Sequence, residues 1–359
     1  MSAPAPSMYS PAAKAVAEEL GLKMGRANLE EFADTLLTLA KADRNILAVT
    51  SDSRGSGKLG PFGQALPKQI VEMGIAEQNL VGVAAGLGSC GKNVFAVSPA
   101  CFLTARSLEQ IKNDICYSDH PVTVVGISSG VSYGALGTTH HSLHDFAVLR
   151  AINNITIVVP ADNYETREAV KAAAAHDKPV YLRFGKAPLY TLPGADSAPF
   201  AFGQARVLRE GSDVAFLATG ETVIHCLLAA AHLEATASLK CRVVSLPTVK
   251  PLDTSAVLAA ARECRAVITA EEHMVNGGLG EAVAGVIAQA GIGTRFKIAG
   301  IPDEYTVTGS QADIFRHYGL TMEGFAEAAS SLLEKSSVGA GVSHDQLGAL
   351  SLSNGQAKD

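Results

Sequence analysis

The run Glu72-Met73-Gly74-Ile75-Ala76-Glu77-Gln78-Asn79-Leu80-Val81-Gly82-Val83-Ala84-Ala85-Gly86-Leu87-Gly88-Ser89-Cys90-Gly91 is the stretch around which the rest of the chain is organised. Its composition predicts a helix from Ile75 onward, with Gly82, Ala85 and Gly86 small enough to let another backbone approach closely. Glu77 and Gln78 fall near the helix start, where a carboxylate interacts favourably with the free N–H groups and the dipole. Beyond them the segment is almost wholly apolar. A carboxyl group there is expected to be largely desolvated, which favours its protonated form and suits proton exchange with a bound ring nitrogen. On pattern alone, the segment is a buried helix with one capping acid.

The whole chain has 359 residues, 47% of them hydrophobic, enough to bury two ordinary cores. The net charge of −6, without a basic cluster, argues against a nucleic-acid partner. No run reaches the roughly 18 apolar residues of a membrane span. Six cysteines (90, 101, 116, 226, 241 and 264) lack metal-type spacing and sit in apolar surroundings, as reduced core thiols do. The opening residues, Met1 to Ser7, lack the charged-then-apolar order of a signal segment. These features together indicate a soluble, cytoplasmic, globular protein.

Upstream, residues 1–12 read as a loose Pro/Ala/Ser-rich tail, followed by a short helix, Ala13–Leu20. Asn28 is expected to cap a helix whose Leu29, Phe32, Leu36 and Leu39 share one face. Asn45–Thr50 is a short buried strand, and the polar loop Ser51–Gly63 follows at its carboxyl end, where open α/β sheets bind ligands. Downstream, strands Asn93–Val97, Val122–Ile127, Ile155–Val159 and Val180–Phe184 alternate with helices Thr104–Tyr117, one from about Ser142, and Asn163–Ala175. Such alternation means a mostly parallel sheet with helices on both faces. A linker is read in the Pro/Ala/Gly-rich stretch Ala187–Pro199, with the domain break at residues 191–200. A second α/β domain repeats the pattern with strands Asp213–Leu217, Arg242–Leu246, Ala266–Thr269 and Phe296–Ile298 and a last helix, Met322–Leu333. The expected divisions are an extension (1–25), a first domain (26–190), a linker (191–200), a second domain (201–335) and a flexible tail (336–359), with a turn of helix at Asp345–Leu350.

Gly74-Ile-Ala-Glu-Gln-Asn79 resembles the signature of the pyrimidine-binding domain in transketolases and 1-deoxyxylulose-5-phosphate synthases, which are thiamine-diphosphate enzymes. The resemblance runs from about Asn28 to Leu333, with its landmarks in family order. It implies that Glu77 exchanges a proton with the cofactor's aminopyrimidine ring, that Phe102 stacks on that ring, and that Asp52 helps fix the cofactor. It further implies that His140, in Gly137-Thr-Thr-His-His141, contacts the substrate carbonyl or hydroxyl, and that Ser56 and Arg183 lie in the substrate site. Histidines 140, 141 and 144 invite a metal reading, with His140 and His144 on one helix face, but no third ligand follows at a recognisable spacing. Ala270-Glu-Glu-His273 and Gly277-Gly-Leu-Gly280 resemble the family's C-terminal domain. That glycine loop is a weak phosphate-cradle signal, and the domain is expected to serve subunit interfaces rather than chemistry.

Two departures from the family pattern carry weight. The chain contains no Gly-Asp dipeptide, hence no Gly-Asp-Gly diphosphate and Mg²⁺ motif. A diphosphate with its metal needs oxygen ligands and oriented N–H groups. A partner, the amino-terminal transketolase subunit, is therefore expected to anchor most of the thiamine diphosphate and Mg²⁺, in an α2β2 assembly. The substrate pocket also differs. Leu136 stands where relatives carry a hydroxyl-reading Asp, Ser128 where they carry a phosphate-binding His, and Leu29 where they carry an Arg; Arg26 and Arg54 are nearby cations available to compensate. The expected activity is transfer of a two-carbon ketol unit from an anionic ketose to an aldehyde. A deoxyxylulose-phosphate-synthase-like or 2-oxo-acid dehydrogenase β-like decarboxylating subunit, and a non-catalytic partner-binding scaffold, are the alternatives.

Overall fold

Ile46–Thr50, Val122–Ile127 and Val180–Phe184 are buried along their whole length, as strands covered on both faces must be. The computed structural model describes residues 7–194 and 199–334, and in it these runs form the middle of a seven-stranded sheet. The strand order is Thr248–Lys250, Thr156–Val158, Val180–Phe184, Val122–Ile127, Asn93–Pro99, Ile46–Thr50, Ile70–Glu72. All neighbours are parallel except the first pair. The second sheet runs Arg295–Ile301, Ala266–Met274, Val214–Ala218, Cys241–Ser245, Arg206–Arg209, with only the last strand antiparallel. Two mostly parallel sheets, each with helices, agree with the fold class expected from the sequence.

The two halves interlock. Thr248–Lys250 comes from the second half of the chain yet pairs with Thr156–Val158 in the first sheet. Tyr9, Ala13 and Ala17 sink into the same apolar cluster as Phe216, Ile268 and Phe325, so the expectation of a loose segment through residue 12 fails from Ser7 onward. Met24–Ala27 pairs with Pro188–Tyr190, inside what reads from sequence as the start of the linker.

Several local expectations are corrected. Asn28 is the first helical residue and caps nothing; its side chain donates to the Pro160 carbonyl and accepts from Asn163, while Glu31, the acid three residues on, is taken by Arg26 and Arg167. The expected helix Thr104–Tyr117 divides into Ala100–Arg106, a single turn at Leu108–Gln110, and a wider π-type turn over Ile111–Tyr117. The helix expected from Ser142 begins only at Asp145, because Ser142 and the residues before it are bonded into a loop. Cys90 is exposed at the end of the Glu77 helix, whereas the other five thiols are buried. The expected turn at Asp345–Leu350 and the tail lie outside the described residues. No helix among the described residues is long and apolar enough to cross a membrane.

Parallel pairing sends the carboxyl ends of five adjacent strands to one edge of the first sheet. The segments that leave Thr50, Glu72, Pro99, Ile127 and Phe184 carry every site residue anticipated by sequence except Arg183, which lies on a strand.

Candidate functional site at the carboxyl edge of the first sheet

The Glu77 helix runs over Glu77–Ser89, two residues shorter at its start than its composition predicts. Gly74 takes a left-handed conformation (φ +69°) that a helix cannot contain, leaving Ile75 outside and 77% exposed. Glu77 itself is 5% exposed. Its carboxyl group is buried, and it has a charged partner that the sequence did not reveal. Nη1 of Arg106 donates to both of its oxygens, at 2.9 and 3.1 Å. The Arg106 side chain is 51% exposed, so the pair joins a buried carboxylate to a half-exposed cation. Among the described residues nothing packs closely on two of its glycines: an added Cβ would meet nothing within 4 Å at Gly86 and only Asp114 at 4.0 Å at Gly82.

From Glu77 a continuous wall of charged and aromatic groups extends along the sheet edge. The Arg106 guanidinium carbon lies 4.4 Å from the centre of the Phe102 ring. Phe102 meets the His140 ring edge-on at 5.3 Å, and His140 meets Tyr133 edge-on at 5.4 Å. Lys186 closes the row with its amine 3.7 Å from the centre of the Tyr133 ring. A cleft of about 540 Å³ lined by Ile75 to Asn79 and Arg106 opens at one end. A cavity of about 480 Å³ lined by Tyr133, Lys186 and Gln311 opens at the other. Glu77, Phe102 and His140, singled out separately in the sequence, are thus brought together; Arg106, Tyr133 and Lys186 were not anticipated. Arg106 stands four residues after Phe102, a spacing that places both on one helix face and was the available signal. For Tyr133 and Lys186 the sequence carried none.

The remaining anticipated residues divide differently. Asp52 is exposed with φ +49°, and its backbone N–H donates to Glu72. Ser56 is exposed in the same loop, Ser128 is buried with φ +53°, and Leu136 is 56% exposed on a short 3₁₀ turn of the loop that carries His140. Leu29 is core. Arg183 faces no opening: its Nε bonds Asp145 at 2.8 Å, and its Nη2 bonds the carbonyls of Ser142 and Glu272 at 3.2 and 2.8 Å. Burial opposes charge on the guanidinium, but Asp145 and Glu272 outweigh it and hold its pKa above the ordinary value. The sequence reading of Arg183 as a phosphate contact therefore gives way to a buried ion network, because all its anionic and carbonyl partners come from within the chain. Arg26 and Arg54 are spent as well, on Glu31 with Asp34 and on Glu72. Lys186 differs: among the described residues no acid pairs with its amine, and burial pushes its pKa below the ordinary value.

No group of three or more His, Cys, Asp or Glu residues among the described residues is arranged to hold a metal ion. The three histidines point apart, His140 to Thr139, His141 to Thr306 and the Gly134 carbonyl, His144 to Thr104, and none of them is in a helix. The Gly277–Gly280 loop cradles the chain's own carboxylate instead of a phosphate. Glu271 accepts from the N–H groups of Leu279 and Gly280 at 2.6 and 2.8 Å, and a Cβ at Gly278 would collide with it.

Known proteins share this architecture. Residues 26–191 match the transketolase pyrimidine-binding domain, and residues 203–324 match the transketolase C-terminal domain. The chain is 46% identical over 306 residues to a subunit of the apulose-4-phosphate transketolase of Phocaeicola vulgatus, covering 85% of this chain and 97% of the relative. It is 34% identical over 306 residues to the 6-deoxy-6-sulfo-D-fructose transketolase subunit SqwH of a Clostridium species, covering 85% and 94%. A solved split-gene transketolase, described as an inactive β4 tetramer, is similar with a TM-score of 0.76 at 35% identity, covering 86% of this chain and 99% of that one.

Proposed function

The chain belongs to the transketolase family, as the pyrimidine-binding and C-terminal subunit of a split transketolase, and on that premise we propose how its residues divide the work. The carrying observation is the unbroken row Glu77, Arg106, Phe102, His140, Tyr133, Lys186 along the carboxyl edge of the sheet.

The residues present fit one end of thiamine diphosphate and not the other. A buried carboxylate and an aromatic ring that share one planar guanidinium between them suit an aminopyrimidine: Glu77 would hold its ring nitrogen, and Phe102 would lie against its face. The Arg106 guanidinium, itself planar, cationic and rich in donors, at present makes both of those contacts and has to yield them. The diphosphate and Mg²⁺ do not fit on the described residues, which offer no metal-ligand group. The partner subunit supplies that half, in an α2β2 assembly in the cytoplasm. The split-gene relative described as an inactive β4 tetramer supports the requirement for a partner.

When bound, the cofactor supplies the electron sink that lets a carbon–carbon bond next to a ketone be cleaved. This chain's own residues take the remaining tasks. Glu77 exchanges a proton at the ring nitrogen. His140 holds a substrate hydroxyl or carbonyl, with its ring fixed between Phe102 and Tyr133. Lys186, not Arg183, meets the anionic end of the sugar, since among the described residues no acid competes for its amine. The two subunit relatives are named for a phosphate and a sulfonate sugar, and one lysine accommodates either anion. Leu136 makes the loop indifferent to the hydroxyl that an acid there would read. Asp52 and Ser56 stand at the outer rim, for cofactor and substrate respectively.

The test is reconstitution with a Gly-Asp-Gly-bearing partner, thiamine diphosphate and Mg²⁺, assayed with phosphorylated and sulfonated ketose donors and an aldehyde acceptor. Ketol transfer by the mixture and not by either chain alone is expected. Pyruvate decarboxylation in place of ketol transfer would overturn the reading.

A further inference from the structure

The loop that follows strand Val122–Ile127 carries Ser128, Tyr133, Leu136 and His140, yet its anchors lie largely in the other domain. Val131 and Leu143, at its two ends, are buried in the second domain's apolar cluster with Phe216, Ile268 and Ile301. The Val131 N–H donates to Oε1 of Glu272 at 2.9 Å, and the Met274 N–H donates to the Leu143 carbonyl at 3.1 Å. Gly130, with φ +59°, admits the Glu272 carboxyl group where any Cβ would collide with it, and Gly134 similarly admits the Gly309 carbonyl.

The middle of the loop is held by one threonine. His141 Nε2 lies 2.9 Å from the Gly134 carbonyl, which can only accept, so Nε2 carries the proton and Nδ1 is an acceptor. Thr306, in the second domain, therefore donates its hydroxyl to Nδ1 at 2.7 Å and accepts from the Thr138 hydroxyl at 3.1 Å. Burial pushes the His141 pKa down, consistent with a neutral ring. The adjacent histidines thus divide: His141 points into the domain interface, and His140 points into the aromatic row.

We propose that Thr306 and Glu272 of the second domain are positioning residues for the substrate site, acting through the loop that presents His140, Tyr133 and Leu136. The sequence assigns this domain to subunit interfaces; its contacts also give it a share in sugar recognition. This inference rests on the transketolase reading of the site. Since the loop serves the sugar end and Glu77 the cofactor end, loosening it should move sugar binding without moving cofactor binding.

The experiment uses the reconstituted two-chain enzyme, with Thr306→Val, Thr306→Ser and Thr138→Val compared with wild type for ketose KM, kcat, thiamine diphosphate Kd and Tm. Thr306→Val, nearly isosteric, loses both hydroxyl bonds and should raise ketose KM about tenfold, the equivalent of roughly one hydrogen bond. The cofactor Kd should stay within about twofold, a bound well under one hydrogen bond. Thr306→Ser should restore KM. Thr138→Val, on the exposed side of the loop, should give the same shift at smaller size, and it keeps the test open if Thr306→Val folds poorly. An unchanged ketose KM, or equal shifts in ketose KM and cofactor Kd, would overturn the proposal. A wild-type complex without ketol transfer would instead overturn the reading on which it rests.

Discussion

The two ends of the site are built in opposite ways. At the cofactor end Glu77 has, among the described residues, a single side-chain partner, the half-exposed Arg106, with Ile75 nearby 77% exposed and no described residue within 4 Å of a Cβ at Gly86. At the sugar end the loop is gripped from within, by Glu272, Thr306 and the apolar core of the second domain. One end is finished by this chain and the other is half of something. The contrast matches the proposed division of work, in which this chain sets sugar recognition and its partner sets cofactor retention.

The largest effect distinguishing the two ends is expected at Glu77. Glu77→Gln keeps the shape but cannot exchange the proton, so kcat of the reconstituted complex should fall on the order of 10³-fold, within the range for lost acid–base catalysis. Subunit assembly, followed by sedimentation, should be intact. Near-normal kcat would place the proton transfer elsewhere.

At the sugar end, Lys186→Ala should lower kcat/KM for phosphorylated or sulfonated ketoses roughly 10- to 100-fold, the worth of a charge-assisted hydrogen bond. A neutral ketose should be affected much less. Equal losses on charged and neutral sugars would remove Lys186 from the anion contact.

Leu136→Asp should have a smaller effect, since an apolar contact there is worth only about 1–3 kcal/mol of discrimination. It should move the preference toward ordinary ketose phosphates, read as a change in the ranking of kcat/KM over a panel of donors and acceptors. An unchanged ranking would mean that this exposed leucine does not touch the sugar.

The same contrast runs through what was legible in the sequence. Strand Val180–Phe184 and helix Asn163–Ala175 are read at their observed limits because both have clear ends, the strand lying between Pro179 and Gly185 and the helix capped by Asp162. Strand Thr248–Lys250 is hidden because three residues between two prolines read as a turn; only the neighbouring sheet edge makes them a strand. In the site, Glu77 stands out because a short motif marks it, whereas Phe102 is picked out only by the resemblance to the family. Arg183 misleads because an arginine at a strand end looks the same whether its acid is a ligand or a neighbour. Here Asp145 reaches it from 38 residues before and Glu272 from 89 residues after, separations that no local pattern reveals. Lys186 is informative for the converse reason. What distinguishes it is that no acid among the described residues pairs with it, which only three-dimensional placement exposes.

The most direct test of the division between the two chains is calorimetry with thiamine diphosphate and Mg²⁺, on this chain alone and then on its mixture with a Gly-Asp-Gly-bearing partner. The isolated chain offers Glu77 and Phe102 but no metal-ligand group among the described residues, so it should bind the cofactor weakly or not detectably, and the mixture should bind it tightly. Submicromolar binding to the isolated chain would contradict the claim that its partner completes the site.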